Sequence, residues 1–477
     1  MRNVFRHILG FTFTVCCALC ATACIADRYP CDPDGEEAYD GNLLVLHISP
    51  VSRSADGADA VTEKIRSLRI IVMGKDDAGN KTSVEYNKLL TLPGEVSASK
   101  EFSYALTLPV TAGKKDIWLF ANEESVTDIR YEAQEGVQLP DGLPTTKNLA
   151  DLMEHYKVEG SGLAPNTETT PDPEGFSKAL RAVWFAPQYD IEEDGSVFLP
   201  YASCYTDISG YSREEREQAG NDNLVQTLYL VPVATKFTFN FTNYRSNPVE
   251  INEITVDEIH SDNFLLAQVG QEEEYKEFDG KKLWWVDWLA KVSEASHGSP
   301  GYADNTSFNE RYGWIADYAL PALARQSESH RFVQREETSG TPPYTVARKD
   351  ETSVEPGKCS LGPFYLPESR HEVTYDTTVK DESGQDITQT VTEQIWYLTL
   401  KLHDTASSLP GADPFFDKVP VSNLKSLFRN TSVTINVTLR EGDVEIYAEI
   451  HDWNEKFASG WVTGGEDSAP LPDNPTP

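Results

Sequence analysis

Cysteine is scarce in the body of this chain. Seven occur in 477 residues, and four of them, Cys16, Cys17, Cys20 and Cys24, fall within nine positions near the start. Cys31, Cys204 and Cys359 are left, far apart and odd in number. No CxxC pair or Cys/His cluster accompanies them, which argues against a disulfide framework; one bridge, Cys204–Cys359, stays open. Positive charge is also short. Lys and Arg number 41 against 76 Asp and Glu, a formal net charge of −35. Such a chain repels nucleic acid and anionic lipid headgroups, so neither is an expected partner.

Recognisable catalytic chemistry is missing too. There is no HExxH, no G-x-S-x-G elbow, no P-loop and no GxGxxG opening a helix. The nine histidines are scattered, and His371 and His403, near strand-like segments, read as surface or structural residues. Acidic residues are too many for a catalytic pair to stand out. The loops DPDGEE (32–37) and DIEEDG (190–195) offer oxygen donors that suit calcium, but neither has EF-hand spacing, and such loops are ordinarily just solvated. No catalytic residue, metal site or cofactor is assigned, and the chain reads as a non-enzyme.

Long apolar runs are absent with one exception. Residues 8–23, ILGFTFTVCCALCATA, carry no charge and follow a short basic start with Arg2 and Arg6. At 16 residues the run is short of the roughly 20 a spanning helix needs, and its layout is that of a secretory signal. The stretch Ala21-Thr22-Ala23-Cys24 looks like a bacterial lipobox. On that reading Cys24 is the first mature residue and carries acyl chains into a membrane. The alternative is an ordinary cut after Ala23. Loss of residues 1–23 removes two positive charges and leaves −37.

What remains is rich in strand signals. The hydrophobic fraction of 39% and aromatic fraction of 10% suffice for packed cores. Strand signals, rich in β-branched and aromatic residues and bounded by turn residues, fall at 42–48, 64–73, 101–110, 180–186 and 196–201; 101–110 alternates clearly, and 115–121 reads as a buried strand. NLADLMEHY (148–156) has helical spacing, 158–178 is loop-like, and SREEREQAGNDN (212–223) reads as an exposed helix or linker. A second set of strands follows in LVQTLYLVPVATKFTFNFTNY from 224, then at 250–259, 364–368, 395–403, 431–440 and 444–453. The turn REGD (440–443) makes the last two a hairpin. The expected class is mainly all-β, with two successive β-sandwich domains and short helices. The N-terminal sandwich spans 54–211, a connector 212–223, the C-terminal sandwich 224–463, and a flexible tail 464–477.

An insertion at about 270–350 breaks the strand pattern. It holds Trp284, Trp285, Trp288 and Trp314. Two readings compete: a ligand platform that stacks sugar rings, or the small core of an inserted subdomain. In WWVDWLAK the apolar spacing is that of a packed helix.

The first two strands flank a small polar linker, SPVSRSADGADA, with one arginine, Arg53, followed by Ser54. Exposed loops of this composition are preferred nicking sites. A cut after Arg53 would sever the first strand from the chain, and a sheet that loses a strand becomes a template for one from another chain. The alternative is an ordinary loop arginine. By adjacency alone, the apolar residues of KIRSLRIIVM are expected to line the vacated groove.

In order along the chain, the lipobox cysteine, the early strand, the linker arginine, EKIRSLRIIVMGKDDAG, KKDIWLFAN (114–122), VPVATKFTFNFTN (231–243), GPFYLPES (362–369), LFRNTSVTINVTL (427–439) and IHDWN (450–454) resemble the FimA-like fimbrillins of Gram-negative anaerobes. The resemblance spans nearly the whole mature chain. It implies two tandem transthyretin-like sandwiches and export as a lipoprotein through Cys24 to the outer membrane. It also implies cleavage at Arg53 and Ser54 by an Arg-specific protease, and assembly into an adhesive fimbria with other subunits by strand exchange. The 270–350 insertion and a Gly/Pro/Asp-rich tail without an apolar donor strand are departures. They fit a tip, anchor or accessory subunit, or a standing surface lipoprotein that binds glycan or a host ligand through the tryptophans.

Overall fold

The computed structural model describes residues 41–50, 62–97, 104–131, 143, 148–156, 172–219, 225–266, 275–278, 281–284, 327–334, 344–347, 356–380, 384–394, 396–405, 415–421, 424, 426–427, 429–441 and 443–452. Strands dominate them.

The first part opens with β1 (Asn42–Pro50), β2 (Thr62–Lys75), β3 (Lys81–Ser97), β4 (Tyr104–Val110), β5 (Lys114–Ala121) and β6 (Arg130–Tyr131). It continues with α1 (Leu149–His155), α2 (Pro173–Ala182), β7 (Val183–Phe185), β8 (Ser196–Val197), β9 (Tyr201–Ser209), α3 (Arg213–Ala219) and β10 (Val225–Leu230). One sheet runs β3-β2-β5-β9 with β8 alongside β2; the other runs β10-β1-β4. Between them lies a core that joins Leu44, Leu46 and Ile48 of β1 to Ile65, Leu68 and Ile70 of β2. The helices cover the opposite face of β2 and β5, where Ile71, Trp118 and Phe120 meet Leu152, Phe176 and Leu180. Strands buried on both faces need apolar residues at every position, which is why RIIVM and IWLFA run without alternation.

Several sequence expectations change here. Residues 180–182 are the end of α2, not a strand, and α2 begins inside the stretch read as loop. Its start is written in Asp172-Pro173-Glu174: the Asp172 carboxylate accepts the Glu174 N–H at 3.1 Å, and proline occupies the first turn. No strand is expected at 81–97, where β3 forms the sheet's edge, a position that tolerates Pro93 and the register shifts along it. The sequence pattern places residues 225–230 with the second strand set. In the structure they pair with β1 and complete a sheet of the first part.

Asn122 follows β5 directly and is fully buried with φ 54°, a left-handed conformation asparagine tolerates. Its Oδ1 accepts the Arg66 N–H at 2.9 Å, and its Nδ2 donates to Lys64 O and Leu199 O, both at 2.8 Å. One side chain thereby ties three chain segments together. Asn122→Ala is expected to cost about 3 kcal/mol, because a buried donor and two buried acceptors lose their partner. Urea unfolding of the variant checks this through its midpoint.

The second part contains β11 (Thr235–Asn243), β12 (Val249–His260), β13 (Asn263–Phe264), β14 (Tyr275–Phe278), β15 (Lys281–Trp284), β16 (Ser327–Gln334), β17 (Thr345–Val346) and β18 (Gly357–Leu366). Then come β19 (Ser369–Arg370), β20 (Glu372–Lys380), β21 (Asp386–Gln394), β22 (Trp396–Asp404), β23 (Phe415–Val421), β24 (Ser426–Leu427), β25 (Thr431–Arg440) and β26 (Asp443–Asp452). The sheets β18-β11-β25-β26 and β16-β12-β22-β23 enclose a core in which Phe237, Phe239 and Phe241, with Val433 and Ile435 beside them, join Leu398 and Leu400 of the opposite sheet. The β25–β26 hairpin forms across the REGD turn as expected. The 270–350 segment is not wholly separate, since β16 and β17 pair with β12. Trp284 closes β15 opposite Tyr275, in a strand rather than the helix its spacing suggested. Trp285, Trp288 and Trp314 lie outside the described residues. The β20–β21 hairpin is not among the expected strands; its threonine-rich alternation leaves most residues exposed.

The two parts are knitted together. β13 pairs with β7, and Tyr365 of β18 sits in the first core. Glu63 accepts from Lys236 Nζ at 3.3 Å and from Tyr365 Oη at 3.1 Å. Tyr189 donates to Val233 O at 2.7 Å. Burial pushes the Tyr189 phenol well above its usual value of 10.0, and pushes Tyr131 up to about 12. From pH 10 upward the unfolded chain therefore loses tyrosine protons that the folded chain keeps. The unfolded state binds fewer protons, so stability falls as pH rises, and the Tyr131 contribution is spent by about pH 12. In an alkaline titration, tyrosinate absorbance from these two residues is expected to appear together with unfolding.

Candidate assembly site around the first strand

β1 has the alternation of a half-buried strand, and the fold places it in the middle of a sheet. It runs antiparallel to β4, from Asn42 opposite Val110 to Ile48 opposite Tyr104. It runs parallel to β10, from Val45 opposite Val225 to Pro50 opposite Leu230. Both of its edges are thus hydrogen-bonded. Leu44, Leu46 and Ile48 have no exposed surface. The outward residue His47 is partly desolvated, which lowers its pKa. At its start β1 is held by paired bonds between Leu43 and Tyr211, N–H to O in each direction at 2.9 Å. Gly210 permits that approach: a Cβ there would stand 2.8 Å from Val110 Cγ2.

Without β1, the sheet would be split into two strands facing each other across an empty lane. The walls would be the main chains of β4 and β10. The floor would be apolar side chains of the opposite sheet, among them Ile65, Leu68 and Ile70. KIRSLRIIVM therefore contributes floor, while the hydrogen-bonding walls come from 104–110 and 225–230, which adjacency in sequence did not suggest. Such a lane accepts an extended segment with apolar residues at alternate positions. Nothing in the strand's covalent connection opposes exit, since β1 joins β2 only through residues 51–61. Arg53, Ser54 and the upstream Cys24 lie outside the described residues.

Two ion pairs in the first part of the body are buried. Arg69 pairs with Glu123 at 2.5 Å and Lys115 with Glu85 at 3.1 Å, all four side chains buried. Asp194 in the DIEEDG loop is held at about 2 by hydrogen bonds from Ser196 and by Lys64, so the loop's acid is engaged with protein donors. Among the described residues no group of three or more His, Cys, Asp or Glu converges to hold a metal. The Cys204–Cys359 bridge does not form; Cys204 is in the helix-covered core and Cys359 borders the second core.

No protein-family profile and no curated protein matches the chain. Solved structures do. The tip fimbrial protein Mfa3 of Porphyromonas gingivalis is 12% identical with a TM-score of 0.36, over 86% of this chain and 100% of that one. A fimbrilin of the same organism is 12% identical with a TM-score of 0.34, over 87% and 98%. A fimbrial assembly protein of Parabacteroides distasonis is 9% identical with a TM-score of 0.32, over 85% and 94%.

Proposed function

We propose that this chain is a subunit of a cell-surface fimbria, exported as a lipoprotein on Cys24 and assembled by exchange of β1. The observation that carries the proposal is the position of β1: central in its sheet, fully buried on its inner face, and attached to the rest of the chain by one small polar linker. Cleavage between Arg53 and Ser54 releases lipid anchor and strand as one piece. The exposed lane then takes a strand from a neighbouring subunit, which restores both rows of main-chain bonds and the apolar core. The resemblance in the sequence to FimA-like fimbrillins, with their transthyretin-like sandwiches, supports the same reading.

The test is intact mass and N-terminal sequencing of the protein from its native cell surface. Assembled protein is expected to begin at Ser54. A mature chain that begins at acylated Cys24 in every assembled form would overturn strand exchange and leave a standing surface lipoprotein.

A further inference from the structure

The outer face of the β18-β11-β25-β26 sheet plays no part in the exchange of β1, yet it is unusually ordered. β11 and β25 run parallel and in register, with aromatic residues of one facing aliphatic residues of the other on the inside. On the outside, like therefore falls beside like: Thr238 by Thr434, Asn240 by Asn436, Thr242 by Thr438. A row of side chains crosses all four strands at steps of about 4.8 Å. Ser360 Oγ donates to Asn240 Oδ1 at 2.8 Å, and Asn240 Nδ2 donates to Asn436 Oδ1 at 3.4 Å. Beyond Asn436, directly opposite on β26, stands Tyr447, 52% exposed.

Charge is missing from the centre of this face. A quarter of the chain's residues are charged, 25%, but positions 238–242 and 434–438 carry none. The nearest charges flank the row: Lys236 on β11, Lys358 on β18, and Glu445 and Glu449 on β26, two residues to either side of Tyr447 and opposite Thr438 and Thr434. Amides and hydroxyls each donate and accept, which is what a sugar hydroxyl requires of its partner. An uncharged floor also binds without desolvating an ion. The row's own hydrogen bonds hold its side chains in place, so little rotamer freedom is lost on binding. Tyr447 adds a broad apolar ring with a polar tip beside the row. A protein interface would want an apolar centre, which this face lacks. An acidic ligand would meet a chain of net charge −35.

We propose that this face binds a neutral glycan, with a sugar ring stacked on Tyr447 and its hydroxyls bonded to the Asn436–Asn240 row. The site is separate from the Trp-rich segment and from the β1 lane, so its failure would leave the assembly reading untouched. The experiment is calorimetric titration of the mature chain with neutral hexasaccharides built from glucose, mannose or galactose, and with a sialylated oligosaccharide as the acidic counterpart. At least one neutral saccharide is expected to bind at millimolar concentration or below. Tyr447→Ala and Asn436→Asp are each expected to weaken it about tenfold, while Tyr447→Phe, Trp284→Ala and Tyr375→Ala on the exposed hairpin stay within about threefold. Tyr447 lies on an edge strand with half its surface in solvent, so its truncation should leave the unfolding midpoint unchanged, and calorimetric melting verifies that. The proposal is overturned if no neutral saccharide binds, if the sialylated one binds better, or if Trp284→Ala abolishes binding while Tyr447→Ala does not. It is equally overturned if Tyr447→Ala leaves saccharide binding intact and instead abolishes self-association, which would make the face a contact between copies.

Discussion

A chain cleaved after Arg53 and stripped of residues 42–50 is expected to lose its cooperative melting transition and to associate. Leu44, Leu46 and Ile48 are completely buried. Each such side chain contributes about 1.5–3 kcal/mol, so the strand's inner face alone supplies on the order of 5–9 kcal/mol. That is comparable to the entire stability of an ordinary domain, about 5–15 kcal/mol. To it must be added the main-chain groups of β4 and β10 left facing an apolar lane. A synthetic peptide of residues 42–50 added in trans is expected to restore the transition and suppress association, with a melting temperature that rises with peptide concentration. The same peptide carrying Leu46→Asp should do neither, since it would bury a carboxylate without a partner. If the stripped chain melts like the parent, β1 is dispensable and the exchange mechanism fails.

The second large effect is expected at Arg429. Its guanidinium is buried and donates to Glu368 Oε2 at 2.6 Å, to Phe264 O at 2.8 Å and to Leu265 O at 2.9 Å. Glu368 has no exposed surface and also accepts the Arg429 main-chain N–H at 2.9 Å. Arg429→Met would strand the carboxylate in the interior, at a cost of about 3–5 kcal/mol. The double variant Arg429→Met/Glu368→Gln removes the buried charge and should recover a substantial part of that loss. The consequence is also architectural. Phe264 is part of β13, which pairs with β7, and Leu265 follows it directly, so Arg429 braces the junction between the two parts. Scanning calorimetry of Arg429→Met is expected to resolve two transitions where the parent shows one. A midpoint within about 1 kcal/mol of the parent would show the pair to be energetically neutral.

Much of the architecture was legible because sheet faces are written locally. KFTFNFTN alternates, and the structure turns Phe237, Phe239 and Phe241 inward with no exception. TSVTINVTLR and the REGD turn specify a strand and a hairpin within a few residues. The start of α2 is hidden in the sequence although its cap is present, because Asp172-Pro173 lies within a loop-like composition. The exposed β20–β21 hairpin escaped because neither strand has a face that must be buried.

The sequence by itself determined that many segments are strands, β1 among them, and that a small polar stretch with a single arginine follows it. Only the tertiary structure decided what β1 does. Its partners lie at 104–110 and 225–230, one of them some 180 positions away. An alternating strand states which side chains go inward, but says nothing of whose main chain lies beside it, since backbone N–H and C=O groups are the same in every residue. The same reason made β10 a member of the first part despite its place in the chain. It also set threonine beside threonine and asparagine beside asparagine on the face of the second sheet, a register that packing of the inner aromatic residues fixes and local pattern does not contain.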